Sequence, residues 1–197
     1  ANDDLSIQVH PDDALAREIH DDNGKTEMWY LMDAEKNASL TSGFIRPITA
    51  EEFIDYYKKG KLMELIRRIN TKKGDVFFMK AGRVHSIGKG NLIAEIQQNS
   101  NITYRIYDFD RVDKQGKSRE LHHDLAMRAI DFSDDDPGKT EYSLKENKAS
   151  DLIDCPYFKT KMIHLTDKMG LDYRSIDSFV ILINLEGECI LESDAFE

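Results

Sequence analysis

The sequence of 197 residues is long enough for one sizeable core, or for two small β modules that share an interface. Hydrophobic residues make up 40% of the chain and charged residues 32%, which is typical of a globular rather than a disordered protein. The formal net charge of −10 argues against nucleic-acid binding, because phosphate contacts need clustered Lys and Arg. It does not exclude a small anionic substrate, since a pocket can be locally basic on an acidic protein.

Apolar runs and cysteines indicate the compartment. The longest apolar run, Phe179 to Ile183, has strand length, well short of the roughly 18 residues that span a bilayer, so we expect no membrane contact. Cys155 and Cys189 lack a CxxC spacing, and we interpret them as reduced packing residues of a cytoplasmic protein. The chain begins without Met and reaches a dense motif within eight residues, so we expect it to be a fragment of something longer.

The first part of the chain has strand patterns separated by turns. Apolar side chains occupy every second position in residues 4–10, which predicts a half-buried strand that stops at Pro11. Further strands are predicted over 27–32, after the turn at 22–24, and over 40–46.

A helical insertion is predicted over about 49–70. Thr49 and Glu52 form a capping-box pattern, and apolar residues then recur at helical spacing as far as Ile69. Gly60 divides the insertion into two predicted helices.

The strand pattern resumes at Gly74. Strands are predicted over 75–79, 85–88, 92–98 and 102–109. The following residues are charged and turn-rich, which predicts a linker that includes a short helix over 121–129 and an unassigned His122-His123 pair. Short strands are predicted again over 157–165, 171–174, 178–185 and 188–192.

These patterns predict three consecutive parts. Residues 1–111 form a metal-binding β domain with the helical insertion, residues 112–150 form the linker, and residues 151–197 form a second, smaller and incomplete β unit.

Several polar residues have the spacing of metal ligands. Gln8 and His10 are two residues apart on a predicted strand, so their side chains lie on one face, and Lys25 and Glu27 share a face by the same rule. His85 follows a glycine-containing turn. Zinc accepts nitrogen and oxygen ligands of these kinds, whereas soft-metal sites need thiolates that are not at hand here. Spacing alone leaves open both a divalent metal site and ordinary exposed polar positions.

Four separated segments carry a family resemblance. They are Gln8-Val-His-Pro-Asp-Asp13, Gly24-Lys-Thr-Glu-Met-Trp-Tyr30, Ala81-Gly-Arg-Val-His-Ser-Ile-Gly88 and Glu95-Ile-Gln-Gln-Asn-Ser-Asn-Ile-Thr-Tyr-Arg-Ile-Tyr-Asp108. In this order they resemble the type I mannose-6-phosphate isomerases of the cupin superfamily. The resemblance is dense over residues 4–111 and thinner afterwards. One departure is Lys80, which stands where the cupin turn usually carries the φ-restricting Pro.

The resemblance implies a mostly β fold: a cupin double-stranded β-helix, or jelly-roll barrel, with a small helical insertion and part of a second cupin-like β unit. It implies one zinc ion per chain, with the ligands Gln8, His10, Glu27 and His85. It also matches Arg105 to the catalytic arginine and Lys25 and Glu95 to further active-site positions. Strand parity allows this role for Arg105, although a strand arginine in an exposed salt bridge is the commoner case.

The implied reaction interconverts mannose 6-phosphate and fructose 6-phosphate through a cis-enediol, so the implied partner is a small phosphosugar. Zinc would act as Lewis acid and template, and Arg105 would add positive charge where the oxyanion forms. Glu95 and Lys25 are candidates for proton handling or hydroxyl orientation. The substrate phosphate needs cations, and we consider Lys25, Arg83 and Lys89 for this role.

Two other functions stay open. One is a non-catalytic cupin module that binds a metal and a sugar without turnover. The other is an iron-dependent cupin oxygenase, which would use two histidines and one carboxylate. The four family segments favour the isomerase over both, and nothing in the sequence indicates the oligomeric state.

Overall fold

A computed structural model describes residues 1–192, and strands dominate it. The strands are Ile7–Val9 (β1), Glu27–Ala34 (β2), Ser39–Phe44 (β3), Ile66–Asn70 (β4), Val76–Met79 (β5), His85–Ile87 (β6), Asn91–Gln97 (β7), Tyr104–Tyr107 (β8), Lys139–Thr140 (β9), Ala149–Asp154 (β10) and Lys159–Ile163 (β11). The helices are Asp13–His20 (α1), Ala50–Lys58 (α2) and His123–Ala129 (α3). The predicted mostly β class is confirmed.

Two antiparallel sheets face each other. The first has the strand order β4-β3-β6-β1-β8 and the second has the order β7-β2-β5-β9. Strands β10 and β11 form a separate hairpin. Since neighbours in each sheet are distant in sequence, the fold is held by long-range pairing rather than by local hairpins alone.

The space between the sheets is filled by apolar side chains from β2 and β5 on one side and β3 and β6 on the other. These residues are Trp29, Leu31, Leu40, Phe77, Met79 and Ile87. Alternate residues of each strand point inward, so the inward set on β2 includes Glu27 as well as Trp29. The polar site therefore shares the interior with this core.

The outer face of each sheet is covered by a different layer. Helices α2 and α3 pack on the first sheet, where Phe53 and Ala126 join Ile7, Val9 and Ile106 in one cluster. The β10–β11 hairpin packs on the second sheet, through Leu152 and Ile153 against Met28 and Val76. Each Val, Leu, Ile, Phe or Met side chain in these clusters contributes roughly 1.5–3 kcal/mol when fully buried.

Helix α1 was not predicted from the sequence. Asp12 caps it, since its carboxylate accepts a hydrogen bond from the backbone N–H of Leu15 at 2.8 Å. The Pro11-Asp12-Asp13 segment, interpreted only as the end of a strand, is therefore also the start of a helix.

The predicted insertion is half right. Thr49 caps α2 through the backbone N–H of Glu52, as the capping box indicates. The second predicted helix is wrong, because a single 3-10 turn at Leu62–Glu64 is followed by β4. Pairing of β4 with β3, with Leu40 opposite Ile69, outweighs the helical spacing of the apolar residues.

The later part of the chain differs from the prediction in two ways. Residues 112–150 contain α3, as predicted. They differ from the predicted linker because they also contain β9, which pairs with β5, and because α3 and β9 contact the two sheets. The strands predicted over 171–174, 178–185 and 188–192 are wrong, because no strand occurs in the described residues after Ile163. Residues 193–197 of the predicted second unit lie outside the described part, and the three-part division stays a prediction.

Both cysteines are free thiols: Cys155 packs against the outer cluster of the second sheet, whereas Cys189 is exposed. The packing role predicted for Cys189 is therefore wrong, and the cytoplasmic location stays a prediction. Within residues 1–192 no helix has the length and apolar character of a membrane span.

Candidate metal centre

A row of three residues crosses the first sheet. Gln8 on β1 lies directly opposite His85 on β6 and, on its other side, directly opposite Arg105 on β8. Directly opposed residues project to the same face of a sheet, so all three side chains face the second sheet. The Gln8 Nε2 to His85 Nε2 distance of 3.4 Å is consistent with this shared direction.

The second sheet contributes Glu27, whose carboxylate lies between two imidazoles. Glu27 Oε1 is 3.3 Å from His85 Nε2, and Glu27 Oε2 is 3.6 Å from His10 Nε2. The ligand atoms of these three residues all lie within 4.8 Å of one another. We call them the His–Glu–His cluster. The sequence prediction that they converge is therefore matched by their placement.

Backbone carbonyl groups fix the orientation of both imidazoles. His10 Nδ1 donates to the carbonyl of Ile102 at 2.8 Å, and His85 Nδ1 donates to the carbonyl of Arg83 at 2.9 Å. A neutral imidazole that donates through Nδ1 has a lone pair on Nε2. Both lone pairs therefore point into the cluster, which is the arrangement in which histidine binds a metal.

Burial controls the charge of the cluster. All three residues are 1% exposed. Burial lowers the pKa of His85 to about 4 and lowers the pKa of His10 well below its usual value, so both imidazoles are neutral near pH 7. Burial raises the pKa of Glu27, although the Lys25 ammonium acts in the opposite direction.

The cluster lacks hydrogen-bond partners where a cation would bind. His10 Nε2 is buried without a hydrogen-bond partner, and Glu27 Oε2 is buried with the Lys25 ammonium 3.1 Å away. Lone pairs that face a carboxylate repel it, and an unsatisfied buried polar atom costs about 1–3 kcal/mol. A divalent cation among these atoms removes both penalties. Two imidazole nitrogens and a carboxylate oxygen form a donor set suited to zinc, so the residues fit the implied metal.

Gln8 lies beside the cluster as a neutral fourth group. Its amide nitrogen faces His85 Nε2 at 3.4 Å, and a half-turn of the amide exchanges nitrogen for oxygen at that point. An amide oxygen there would add a ligand without adding charge.

Lys25 joins the cluster to a second carboxylate. Its Nζ is 3.1 Å from Glu27 Oε2 and 3.7 Å from Glu95 Oε1. The Lys25 side chain is 11% exposed and that of Glu95 is 32% exposed, so these groups lie between the buried cluster and solvent. Gly24 makes the approach of this segment possible, because a Cβ there would lie 2.4 Å from the backbone of Asp12.

Arg83 does not reach the site where it was predicted to bind phosphate. It is 2% exposed, and its guanidinium donates to Asp134 at 2.7 and 3.0 Å and to the Phe78 carbonyl at 2.8 Å. A guanidinium in this position is committed to protein partners, which corrects the prediction. The Arg83 backbone carbonyl, which orients His85, is instead its contribution to the site.

Lys89 is exposed on the turn between β6 and β7. It lines an open surface depression of about 270 Å³ together with Asp4, Glu35 and Arg68, and this depression shares no residue with the His–Glu–His cluster. A second depression of about 290 Å³, around Lys139, also lies apart from the cluster. A phosphate-binding role for Lys89 stays a prediction.

Sequence reasoning missed the groups that orient the site. The carbonyls of Ile102 and Arg83 carry no side-chain signal, so no motif could have indicated them. His122 did carry a signal as part of a histidine pair, but its contact with Arg105 depends on how residues after β8 return to that strand.

No family model matches the chain. A mannose-6-phosphate isomerase of Bacillus subtilis is 38% identical over 192 residues, which cover 95% of this chain and 60% of the relative. A mannose-6-phosphate isomerase of Streptococcus mutans is 38% identical over 159 residues, which cover 80% of this chain and 50% of the relative. The chain thus spans between half and about three fifths of the length of these relatives.

Solved structures show the same relationship. The crystal structure of the mannose 6-phosphate isomerase from Bacillus subtilis superposes with a TM-score of 0.74 at 36% identity, covering 81% of this chain and 51% of that chain. A phosphomannose isomerase variant from Salmonella typhimurium superposes with a TM-score of 0.56 at 14% identity, covering 78% and 57% of the two chains, and supports the fold alone. The expected cupin-type fold is confirmed, and the chain is a relative of the bacterial mannose-6-phosphate isomerases.

Proposed function

We propose that this chain is a zinc-dependent isomerase that interconverts mannose 6-phosphate and fructose 6-phosphate through a cis-enediol. The observation that supports this best is the buried His–Glu–His cluster, whose facing atoms have the chemistry of metal ligands and include His10 Nε2, which has no hydrogen-bond partner. The proposed ligands are Gln8, His10, Glu27 and His85. The names of the relatives supply isomerisation of mannose 6-phosphate, and the family resemblance supplies the product and the cis-enediol.

Bound zinc would supply a Lewis acid that polarises the sugar oxygens. Glu95 is the group we assign to taking and returning the proton that moves between C1 and C2. Burial raises the pKa of Glu95, and the negative charge of Glu27 raises it further. A carboxyl group with a raised pKa is better matched to proton transfer near neutral pH. Its partial exposure also leaves it open to a substrate.

Lys25 holds the two carboxylates in place. Its ammonium group lies between Glu27 and Glu95, and its positive charge offsets part of the repulsion between the two carboxylates. It is also the cation nearest the cluster that retains some exposure, so we assign it to orienting a substrate hydroxyl or phosphate oxygen.

Arg105 supplies fixed positive charge at the end of the row on the first sheet. Its Nε is buried without a partner, so part of its hydrogen-bonding capacity is unused. Burial and the nearby Arg119 lower the pKa of Arg105, yet a guanidinium remains charged at neutral pH. A preorganised charge of this kind stabilises the enediolate oxygen as it forms.

The proposal is tested with a coupled assay for fructose 6-phosphate production by the full chain, loaded with zinc or treated with a chelator. We expect turnover with zinc and its loss after chelation. No turnover in the metal-loaded protein would contradict the proposal.

Metal analysis of the purified protein separates the isomerase from the iron-dependent oxygenase, which has the same two-histidine, one-carboxylate donor set. We expect zinc at one ion per chain. Iron together with oxygen consumption would support the oxygenase instead.

A further inference from the structure

Strand β8, which carries Arg105, is the edge strand of the first sheet. One side of β8 pairs with β1, and a bulge interrupts that pairing between Ile7 and Gln8. A four-residue strand with one neighbour and a bulge is held by few ladder hydrogen bonds. Something else must hold Arg105 in place.

His122 satisfies both outward backbone groups of Arg105. The backbone N–H of Arg105 donates to His122 Nδ1 at 3.0 Å, and the backbone N–H of His122 donates to the Arg105 carbonyl at 2.8 Å. A single residue therefore takes the place of the missing neighbour strand at this point. The first bond depends on the imidazole itself, because Nδ1 is the acceptor.

The same short segment also holds the Arg105 side chain. The guanidinium donates to the backbone carbonyl of Glu120 at 2.8 Å, while its Nε stays buried without a partner. Residues 120–122 thus contact both the main chain and the side chain of Arg105.

The segment is itself fixed at both ends. Before it, Arg119 and Arg111 both donate to the carboxylate of Asp108, which closes the loop that follows β8. After it, α3 begins at His123 and buries Ala126 in the core. A segment anchored in this way can hold its neighbour at a defined position.

We propose that His122 is a positioning residue for Arg105: its imidazole Nδ1 accepts the Arg105 backbone N–H and so fixes the strand position, directly opposite Gln8, from which the Arg105 side chain projects. The inference rests on the proposed function for its effect on turnover. The hydrogen bond is a structural claim that can be measured without turnover.

Three substitutions of His122 distinguish the role of its hydrogen-bond acceptor from the role of its side-chain volume. In His122→Asn the side-chain oxygen occupies the position of Nδ1, in His122→Gln the acceptor moves to the position of Nε2, and His122→Leu removes it. We expect kcat to fall about 10- to 100-fold in the Leu and Gln variants with a smaller change in KM, because small misplacements of a positioned group have effects of this size. The Asn variant should stay within about threefold of the parent kcat.

Two controls show whether the effect passes through Arg105. In an Arg105→Ala background, His122→Leu should cause no further loss of kcat, since the two changes remove the same contribution. His123→Asn changes the neighbouring histidine, which bonds the Tyr57 hydroxyl at 2.8 Å and does not touch Arg105, and should leave kcat unchanged. Zinc content should be the same in all of these variants.

Amide hydrogen exchange at Arg105 tests the inference independently. Protection of this amide should be lost in His122→Leu and kept in His122→Asn. Turnover in the parent protein with unchanged kcat and unchanged protection in His122→Leu would overturn the inference and leave the proposed function intact. Absence of turnover in the parent would contradict the proposed function, and the exchange result would then decide the inference alone.

Discussion

Two buried polar groups lie side by side in this protein, and they differ in how completely their hydrogen bonds are satisfied. In one, Arg83 donates through Nε, Nη1 and Nη2 to Asp134 and to the Phe78 carbonyl. In the other, the His–Glu–His cluster, His10 Nε2 has no hydrogen-bond partner and faces the Glu27 carboxylate at 3.6 Å. The two groups touch, because the Arg83 carbonyl accepts the Nδ1 proton of His85.

The difference supports a structural role for the first group and the proposed metal-binding role for the second. A buried ion pair in which each guanidinium nitrogen and each carboxylate oxygen has a partner is complete without a ligand, and it joins β5, the turn before β6 and the segment around residue 134. A cluster with a buried unsatisfied nitrogen that faces a carboxylate is incomplete by itself, which supports the cation that we propose between its nitrogen and oxygen donors. Burial of charge alone would not have told the two apart.

The largest effect is expected from His85→Ala, which removes one imidazole from the cluster. Zinc content should fall from one ion per chain to near zero, and turnover should fall roughly 1000-fold, because the Lewis acid contributes several kcal/mol to the transition state. Chelation should lower the Tm of the parent but not of the variant, since zinc at about 1000 times its Kd stabilises by about 4 kcal/mol. His164→Ala, at an exposed histidine, is the matched control. Stoichiometric zinc in His85→Ala would refute the ligand assignment.

Asp134→Ala should break the Arg83–Asp134 ion pair and leave the residues of the His–Glu–His cluster unchanged. It leaves the Arg83 guanidinium buried without its carboxylate, which costs about 3–5 kcal/mol in free energy of unfolding. Urea denaturation measures this loss. The paired change Arg83→Met with Asp134→Leu should recover most of it, because no buried charge remains. If Asp134→Ala cost less than about 1 kcal/mol, the ion pair would not contribute to the stability of the fold.

Lys80→Met should have the smallest effect. Lys80 Nζ lies 3.1 Å from Asp131 and 3.3 Å from Asp134, but its side chain is 42% exposed, so its pairs are screened by solvent. We expect a change below about 1 kcal/mol in urea denaturation, because Arg83 already satisfies Asp134. A loss as large as that of Asp134→Ala would show that Lys80 is an essential member of the buried group.

Much of the site could be predicted from local pattern and family resemblance together. Strand parity placed Gln8 and His10 on one face and Lys25 with Glu27 on another, and the structure brings these residues into contact range. Residue type indicated the ligand chemistry. Arg83 could not be excluded in this way, because its burial depends on Asp134, which lies far along the chain.

The errors in secondary structure have the same origin. Apolar residues in 62–69 have helical spacing, yet Ile66–Asn70 pairs with β3. The hydrogen bonds and side-chain packing gained by pairing with that strand outweigh the local helix propensity of the segment. Apolar residues over 178–185 have strand composition, but within the described residues no strand lies beside them, and an isolated strand is not stable.

The sequence by itself determined the kinds of residue that could bind a metal, the faces on which they lie and the start of helix α2. These depend on neighbours within a few positions, which periodicity and capping report directly. Only the tertiary structure decided that His10, Glu27 and His85 meet, that backbone carbonyls turn both imidazoles inward, and that Arg83 is complete while the cluster beside it is not. Strand register and the burial of unpaired atoms are properties of contacts between distant segments, and no local pattern encodes them.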